Sequence, residues 1–364
     1  MNQSARITII LSLILILVSS ISIGLLLQAS QGKIILKVFT AGSLSEPFDH
    51  MENDEDMETI FEKEHPDVDV QISSGGSVAM IRKITDFNQI CDVLAIADYR
   101  LIEVMMINST TRSASFALQF AKNSIVLAYT NKSRYSDEIN STNWIDILRR
   151  PDVKFGFSNP NDDPCGYRSQ MTLILAEQYY GDMTLYEDLV IGNTNIKNVS
   201  MAGGIISISI PSALRVTNSD KLMIRSAEVE LTSALEAGAI DYLFIYESVA
   251  RRHASSGERY IELPRQINLN DTSYSSLYGT VRVIQFADSA DTSKIKTVVG
   301  EPIVYGLTIP TCAAHPDIAV EFLKLVLSER GQQVMRIAGQ EPISPAIAGY
   351  WRECIPEGLR ELVI

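Results

Sequence analysis

The stretch Lys154-Phe155-Gly156-Phe157-Ser158-Asn159-Pro160-Asn161-Asp162-Asp163-Pro164-Cys165-Gly166-Tyr167-Arg168 decides how the chain is read. Residues 154–157 have the short apolar character of a buried strand, and Ser158-Asn159-Pro160-Asn161 ends it. Asp163-Pro164 is the pair favoured at a helix N-cap and first helical position. Helical spacing then runs through residues 168–180. The same order of strand, small polar residues and helix appears twice more. Residues 34–39 are an apolar run followed by Ala41-Gly42-Ser43. Val68, Val70 and Ile72 alternate with polar residues and lead into Ser73-Ser74-Gly75-Gly76-Ser77. Val78, Ile81 and Ile84 then recur at helical spacing.

Outward from these units the alternation continues. Residues 54–63 are polar and helix-prone, and residues 93–97, 124–129, 240–246 and 304–309 read as strands. Residues 316–327 and 329–337 close the chain as helices, and residues 203–204 read as a flexible glycine loop with no assigned role. There is no repeat, low-complexity tract or long linker. Strands alternating with helices predict an α/β fold with mainly parallel sheets and flanking helices. A length of 364 residues corresponds to about two domains at roughly 150 residues each. The expected organisation is two closely packed lobes. The first crossing lies near residues 123–129, and the return precedes the strand at 304–309. Residues 33–119 with about 285–364 form lobe 1, and about 120–284 form lobe 2.

Composition limits the function. Hydrophobic residues at 46% and charged residues at 21% exclude a disordered chain, a collagen and a coiled-coil rod. The 31 basic residues against 44 acidic ones give a net charge of −13, which argues against a nucleic-acid partner. Residues 7–27 carry no charge, and Arg6 is the only charged side chain before Lys33. That segment exceeds the ~7–15 apolar residues of a cleaved signal and approaches the ~20 that span a bilayer. Residues 1–32 therefore read as an export signal or membrane anchor. The remainder, with 30 basic and 44 acidic residues, is expected at the outer face of the cytoplasmic membrane, anchored or secreted. Cys91, Cys165, Cys312 and Cys354 show no C-x-x-C spacing, so no zinc site is indicated. Their even number permits disulfides without requiring them. Sequons stand at Asn108, Asn131, Asn140, Asn198 and Asn270, a short pattern that also arises by chance.

Ligands of open α/β sheets sit at the carboxyl ends of strands, where helix N-termini offer free N–H groups to anions. Ser43 and Ser77 stand at two such places and would add hydroxyl donors. Each taken alone reads equally as an ordinary N-cap. Capping also explains Asp163, a solvated helix position explains Glu228, and a core or rim tyrosine explains Tyr246. Catalytic patterns are poor. His50, His65, His253 and His315 are far apart, and neither a G-x-S-x-G elbow nor a phosphate loop occurs. An exported hydrolase using Ser43 or Ser77 would need a base within hydrogen-bond reach.

Read together, several phrases carry a resemblance. They are Ala41-Gly42-Ser43-Leu44, Gly76-Ser77-Val78-Ala79, Ala97-Asp98-Tyr99, Asn159-Pro160-Asn161 and Asp163-Pro164-Cys165-Gly166-Tyr167-Arg168. Gly238-Ala239-Ile240-Asp241-Tyr242, Tyr246-Glu247-Ser248-Val249-Ala250 and Val304-Tyr305-Gly306-Leu307-Thr308-Ile309-Pro310 follow in order. From about residue 37 to 346 the chain resembles the archaeal-type tungstate/molybdate-binding proteins of ABC importers, the WtpA/ModA family. The resemblance implies a two-lobed periplasmic-binding-protein fold of the second topological type with the ligand cleft between the lobes. It implies no cofactor, a tungstate or molybdate ligand, and docking of the closed form on an ABC permease and, through it, its ATPase. Carried over by residue, Ser43 and Ser77 hold the oxyanion from lobe 1, and Asp163, Glu228 and Tyr246 approach it from lobe 2. Glu230 is the fallback for Glu228, because Arg225-Ser226-Ala227-Glu228 departs from the family's usual phrase there.

Two carboxylates beside a tetrahedral dianion need a reason. Like charges 4 Å apart cost about 4 kcal/mol at an effective dielectric near 20. A sulfate or phosphate receptor would avoid them. They fit if Asp163 and Glu228 are ligands to the metal centre of the oxyanion, since molybdenum(VI) and tungsten(VI) expand from four to six oxygen ligands and sulfur does not. Such a pair rejects sulfate. The alternatives are a receptor for sulfate or phosphate, the serine hydrolase, and a purely structural surface protein.

Overall fold

The apolar runs of the sequence become strands whose carboxyl ends converge. The computed structural model describes residues 32–49, 51, 55–286 and 295–364. The apolar leader at residues 7–27 lies outside them. The strands are β1 Ile34–Ala41, β2 Val68–Gly75, β3 Val93–Ile96, β4 Leu118–Asn123, β5 Ile125–Thr130, β6 Phe155–Ser158, β7 Asn198–Ala202 and β8 Ile205–Ser209. They continue with β9 Leu222–Arg225, β10 Tyr242–Tyr246, β11 Glu258–Glu262, β12 Val281–Phe286, β13 Ile295–Val299, β14 Ile303–Thr308 and β15 Glu341–Ile347. The helices that matter for the site are α1 Met57–Glu64, α2 Ser77–Thr85, α3 Pro164–Tyr180, α4 Val229–Glu236, α5 Glu247–Arg252, α6 Pro316–Leu327 and α7 Glu329–Ile337.

One sheet has the order β15-β4-β14-β3-β1-β2 and a second the order β11-β5-β10-β6-β9. They are mixed rather than mainly parallel, which corrects the sequence expectation. Strand β1 runs parallel to β2 and β3, and β6 runs parallel to β9 and β10. Strand β14 is antiparallel to β3 and β4, and β5 is antiparallel to β10 and β11. The chain leaves the first sheet at Asn123 and enters the second at Ile125, and it re-enters the first with β14 at Ile303. A strand that enters its sheet from the crossing side necessarily opposes neighbours that end there, which accounts for β5 and β14. Strands β3, β6, β10 and β14 are buried along their whole length, as expected where helices cover both faces.

A third sheet, in the order β13-β12-β8-β7, was not legible in the sequence. Its hairpin β7–β8 turns on Gly203 and Gly204, at φ 58° and 78°. Two consecutive left-handed residues form the tight turn that matches strand twist, so the expected flexible glycine loop is a hairpin turn. Helices α6 and α7 do not close the chain either. Strand β15 follows them and pairs with β4, its Pro342 and Pro345 tolerated because it is an edge strand.

Helix α3 shows how the opening stretch folds. Asp163 is its N-cap, Pro164 occupies the first turn, and Gly181 ends it at φ 69°. Gly166 lets the first turn sit against the end of β6. A Cβ there would lie 2.2 Å from the Ser158 carbonyl oxygen and 2.7 Å from the Asn159 carbonyl carbon. All four cysteines are free thiols.

Candidate functional site

The site is built where strands of both main sheets end. Strand β1 runs into the turn Gly42–Leu44, β2 into α2, β6 into α3, and β10 into α5. Glu228 stands between β9 and α4 as the N-cap of α4. The turn bearing Ser43 and the one bearing Ser77 abut the loops bearing Asp163 and Glu228. A Cβ on Gly42 would lie 3.0 Å from Val229 Cγ1, and one on Gly76 would lie 3.0 Å from the Asp162 carbonyl oxygen and 3.5 Å from that of Ser226.

Neither serine caps its helix. Ala41 and Gly76 hold the N-cap positions. Ser43 Oγ accepts from Tyr305 OH at 2.9 Å, and Tyr305 OH in turn accepts from Asn123 Nδ2 at 2.7 Å. Ser77 Oγ accepts from the Ala97 N–H at 3.1 Å. Both serines are buried. Among the described residues neither hydroxyl is bonded to a histidine, so neither carries the base that a nucleophile requires.

Asp163 does cap its helix, but with one oxygen only. Its Oδ1 accepts from the Cys165 N–H at 3.1 Å, whereas Oδ2 accepts from the Glu228 N–H at 2.9 Å. That second bond brings the two acids together, and Val229, next to Glu228, meets Gly42, next to Ser43. Both acids are buried, at 2% exposure each. Burial, and then Asp163 beside it, push the Glu228 carboxyl well above the usual range. Glu230 is exposed, and a solvated position describes Glu230 rather than Glu228.

Tyr246 ends β10 fully buried. Its hydroxyl accepts from Arg168 Nη1 at 2.7 Å, and the same nitrogen donates to the Ala97 carbonyl at 2.6 Å. The rings of Tyr246 and Tyr305 have centroids 6.1 Å apart. Ser43, Tyr305, Tyr246, Arg168, Ala97 and Ser77 are thus consecutive neighbours, and the Glu228–Val229 segment joins Asp163 to the Ser43 turn. All five sequence candidates belong to one connected cluster.

Sequence reasoning missed the residues that hold this cluster together. Arg168, at 1% exposure, must be paired because a buried guanidinium without partners is prohibitively costly. Helical spacing places it on one face with Met171, Thr172 and Leu175, a pattern that marks it as buried. Tyr167 OH donates to Asp98 Oδ2 at 2.5 Å, joining α3 of the second sheet to the turn after β3 of the first. Arg168 Nη2 lies 3.4 Å and Arg100 Nη2 2.7 Å from the same oxygen. Burial alone would raise the Asp98 pKa, but Arg100 and Arg168 beside it hold its carboxylate well below the usual range.

With this geometry in place, comparison with known proteins is informative. Residues 36–341 match the model of the bacterial extracellular solute-binding protein family. An uncharacterized solute-binding protein of Methanococcus maripaludis is 46% identical over 330 residues, covering 91% of this chain and 92% of that one. The molybdate/tungstate-binding protein WtpA of Thermococcus kodakarensis is 41% identical over 340 residues, covering 92% and 89%. Among solved structures, the periplasmic molybdate-binding protein of Azotobacter vinelandii aligns with a TM-score of 0.55 at 16% identity, covering 84% of this chain and 98% of that one. The sulfate-binding protein SubI of Mycobacterium tuberculosis aligns at 0.51 and 13%, covering 85% and 87%. These two likenesses show the two-lobed α/β fold of periplasmic binding proteins. The chain belongs to the extracellular solute-binding protein family and is a solute-binding protein of an ABC transporter.

Proposed function

We propose that this protein captures tungstate or molybdate between its lobes and delivers it to an ABC permease and its ATPase. The observation that carries the reading is the buried pair Asp163–Glu228, joined by the Glu228 N–H, whose loop meets the Ser43 turn of the opposite sheet. Ser43 and Ser77, with the backbone N–H groups around them, donate to the oxo groups, and Tyr246 adds a donor from the other side. Asp163 and Glu228 reach the metal centre as its fifth and sixth oxygen ligands once Glu228 gives up its proton. The relative of Thermococcus kodakarensis, named for both anions, supports this choice of ligand. A sulfate receptor of the same fold gains nothing from two buried acids, and repulsion makes them a liability there.

In this reading lobe 1 is built on the six-stranded sheet and lobe 2 on the five-stranded one, with the crossing at Ser124. Closure brings donors of both lobes onto one anion and excludes water. The leader at residues 1–32 exports the chain and either anchors it to the outer face of the membrane or is cleaved. Isothermal titration of the chain from Lys33 onward with tungstate, molybdate, sulfate and phosphate tests the assignment. Tungstate and molybdate should bind one equivalent, and sulfate at least about 100-fold more weakly, a difference of about 2.7 kcal/mol. Equal or tighter binding of sulfate or phosphate contradicts the reading.

A further inference from the structure

On the side of the five-stranded sheet, at the ends of α4 and α5 remote from the anion cluster, lies a second group of chemistry-bearing side chains. Glu236 is the last residue of α4, His253 directly follows α5, and Glu258 opens β11. One ligand atom from each lies within 4.8 Å of the others. His253 Nδ1 is 2.8 Å from Glu236 Oε1. Glu258 is only 3% exposed, and both its carboxylate oxygens are buried with no hydrogen-bond partner. A buried carboxylate is normally paired with a cation or saturated with donors, and this one shares its cluster with a histidine and another acid.

We infer that Glu236, His253 and Glu258 form a binding site for a divalent first-row transition cation such as Zn²⁺. One imidazole nitrogen and two carboxylates suit such an ion, whereas Ca²⁺ and Mg²⁺ prefer all-oxygen shells of six or more ligands. Glu236 and His253 are half-exposed, with side-chain exposures of 32% and 21%, so water reaches the remaining coordination position. The ion would have a structural consequence. Helix α4 carries Glu228 at its start and Glu236 at its end, and α5 starts directly after Tyr246 and ends directly before His253. A cation between Glu236, His253 and Glu258 clips together the far ends of the two helices whose near ends carry Glu228 and Tyr246. The inference stands on these three residues and is independent of which anion the cleft takes.

The test uses the full chain stripped with a chelator and titrated with Zn²⁺ against a chromophoric competitor, with the melting temperature read in parallel. Wild type should bind one equivalent and melt at a higher temperature with Zn²⁺. Glu258→Gln and His253→Gln should each weaken binding by at least about tenfold and lose the thermal shift. Cys312→Ser, at an exposed thiol elsewhere, should keep both. If wild type binds no Zn²⁺, or if His253→Gln and Glu258→Gln bind it as tightly as wild type, the inference is wrong. Preference for Ca²⁺ over Zn²⁺ also overturns it. A Glu258→Gln chain that fails to fold leaves the decision with His253→Gln, whose side chain is partly exposed.

Discussion

Asp163 Oδ2 accepts the Glu228 backbone N–H at 2.9 Å, which holds two buried acids side by side. Burial, and then the neighbouring Asp163, push the Glu228 carboxyl well above the usual range, which favours its protonated form. For both to act as ligands to a metal centre, that proton must leave. In the proposed reading, anion capture is therefore coupled to proton release. Calorimetry in buffers of different ionisation enthalpy should detect close to one proton released per tungstate at neutral pH, and affinity should fall as the pH is lowered. Uptake without proton release would place Glu228 as a protonated donor instead of a ligand.

The same proton fixes a slope of stability with pH. Glu228 ionises near its ordinary value of 4.5 when unfolded and well above it when folded. Between those values the native state binds more protons than the unfolded state, so stability falls as pH rises through that window. Melting of the ligand-free chain between pH 5 and pH 8 should show this fall, and Glu228→Gln should reduce it. A residual slope comes from Glu58 and Glu258, pushed by burial up to about 7 and about 8. Identical slopes for wild type and Glu228→Gln would contradict the assignment of the proton.

Tyr167 and Asp98 link the two sheets directly, at 2.5 Å. A hydrogen bond to a charged group contributes about 1.5–3 kcal/mol. In the proposed reading this bond joins the lobes, so its loss acts on the closed form. Tyr167→Phe should speed tungstate release by about tenfold or more, measured by stopped flow, with the far-ultraviolet spectrum unchanged. An unchanged release rate would show that the contact does not hold the lobes together.

Two glycines should separate folding from closure. Gly166→Ala drives a methyl into the Ser158 carbonyl at 2.2 Å, and overpacking of this kind costs about 1–3 kcal/mol. A melting temperature lowered by several degrees is expected. Gly76→Ala meets the Asp162 carbonyl of the opposite side at 3.0 Å. That variant should keep the melting temperature of the ligand-free chain and lose tungstate affinity. The reverse pattern would misplace the boundary between the lobes.

The fold was legible where its rules are local. Strand, small polar turn and helix around Ser43, Ser77 and Asp163 are written in consecutive residues, and the bounds of α6 and α7 match the apolar spacing of the sequence. Strand β7 is exposed along its whole length, so no apolar period marks it, and the third sheet went unread. Prolines disguise β15. Mixed sheets escaped because strand direction depends on where the chain crosses between sheets, which no local pattern records. The site was legible only in part. Asp163 looks like a cap and is one, but its second oxygen is committed to Glu228 across 65 residues of chain. Tyr305 was hidden because its apolar strand neighbours make it read as core, and its hydroxyl reveals a role only through Ser43 and Asn123.

X-ray absorption at the tungsten edge of the protein–tungstate complex tests the central claim most directly. The account predicts six oxygen neighbours, four short and two longer ones supplied by Asp163 and Glu228. In Asp163→Asn/Glu228→Gln it predicts return to four, with loss of discrimination against sulfate. Four short oxygen neighbours in the wild-type complex, with tungstate preference surviving unchanged in the double variant, would contradict it.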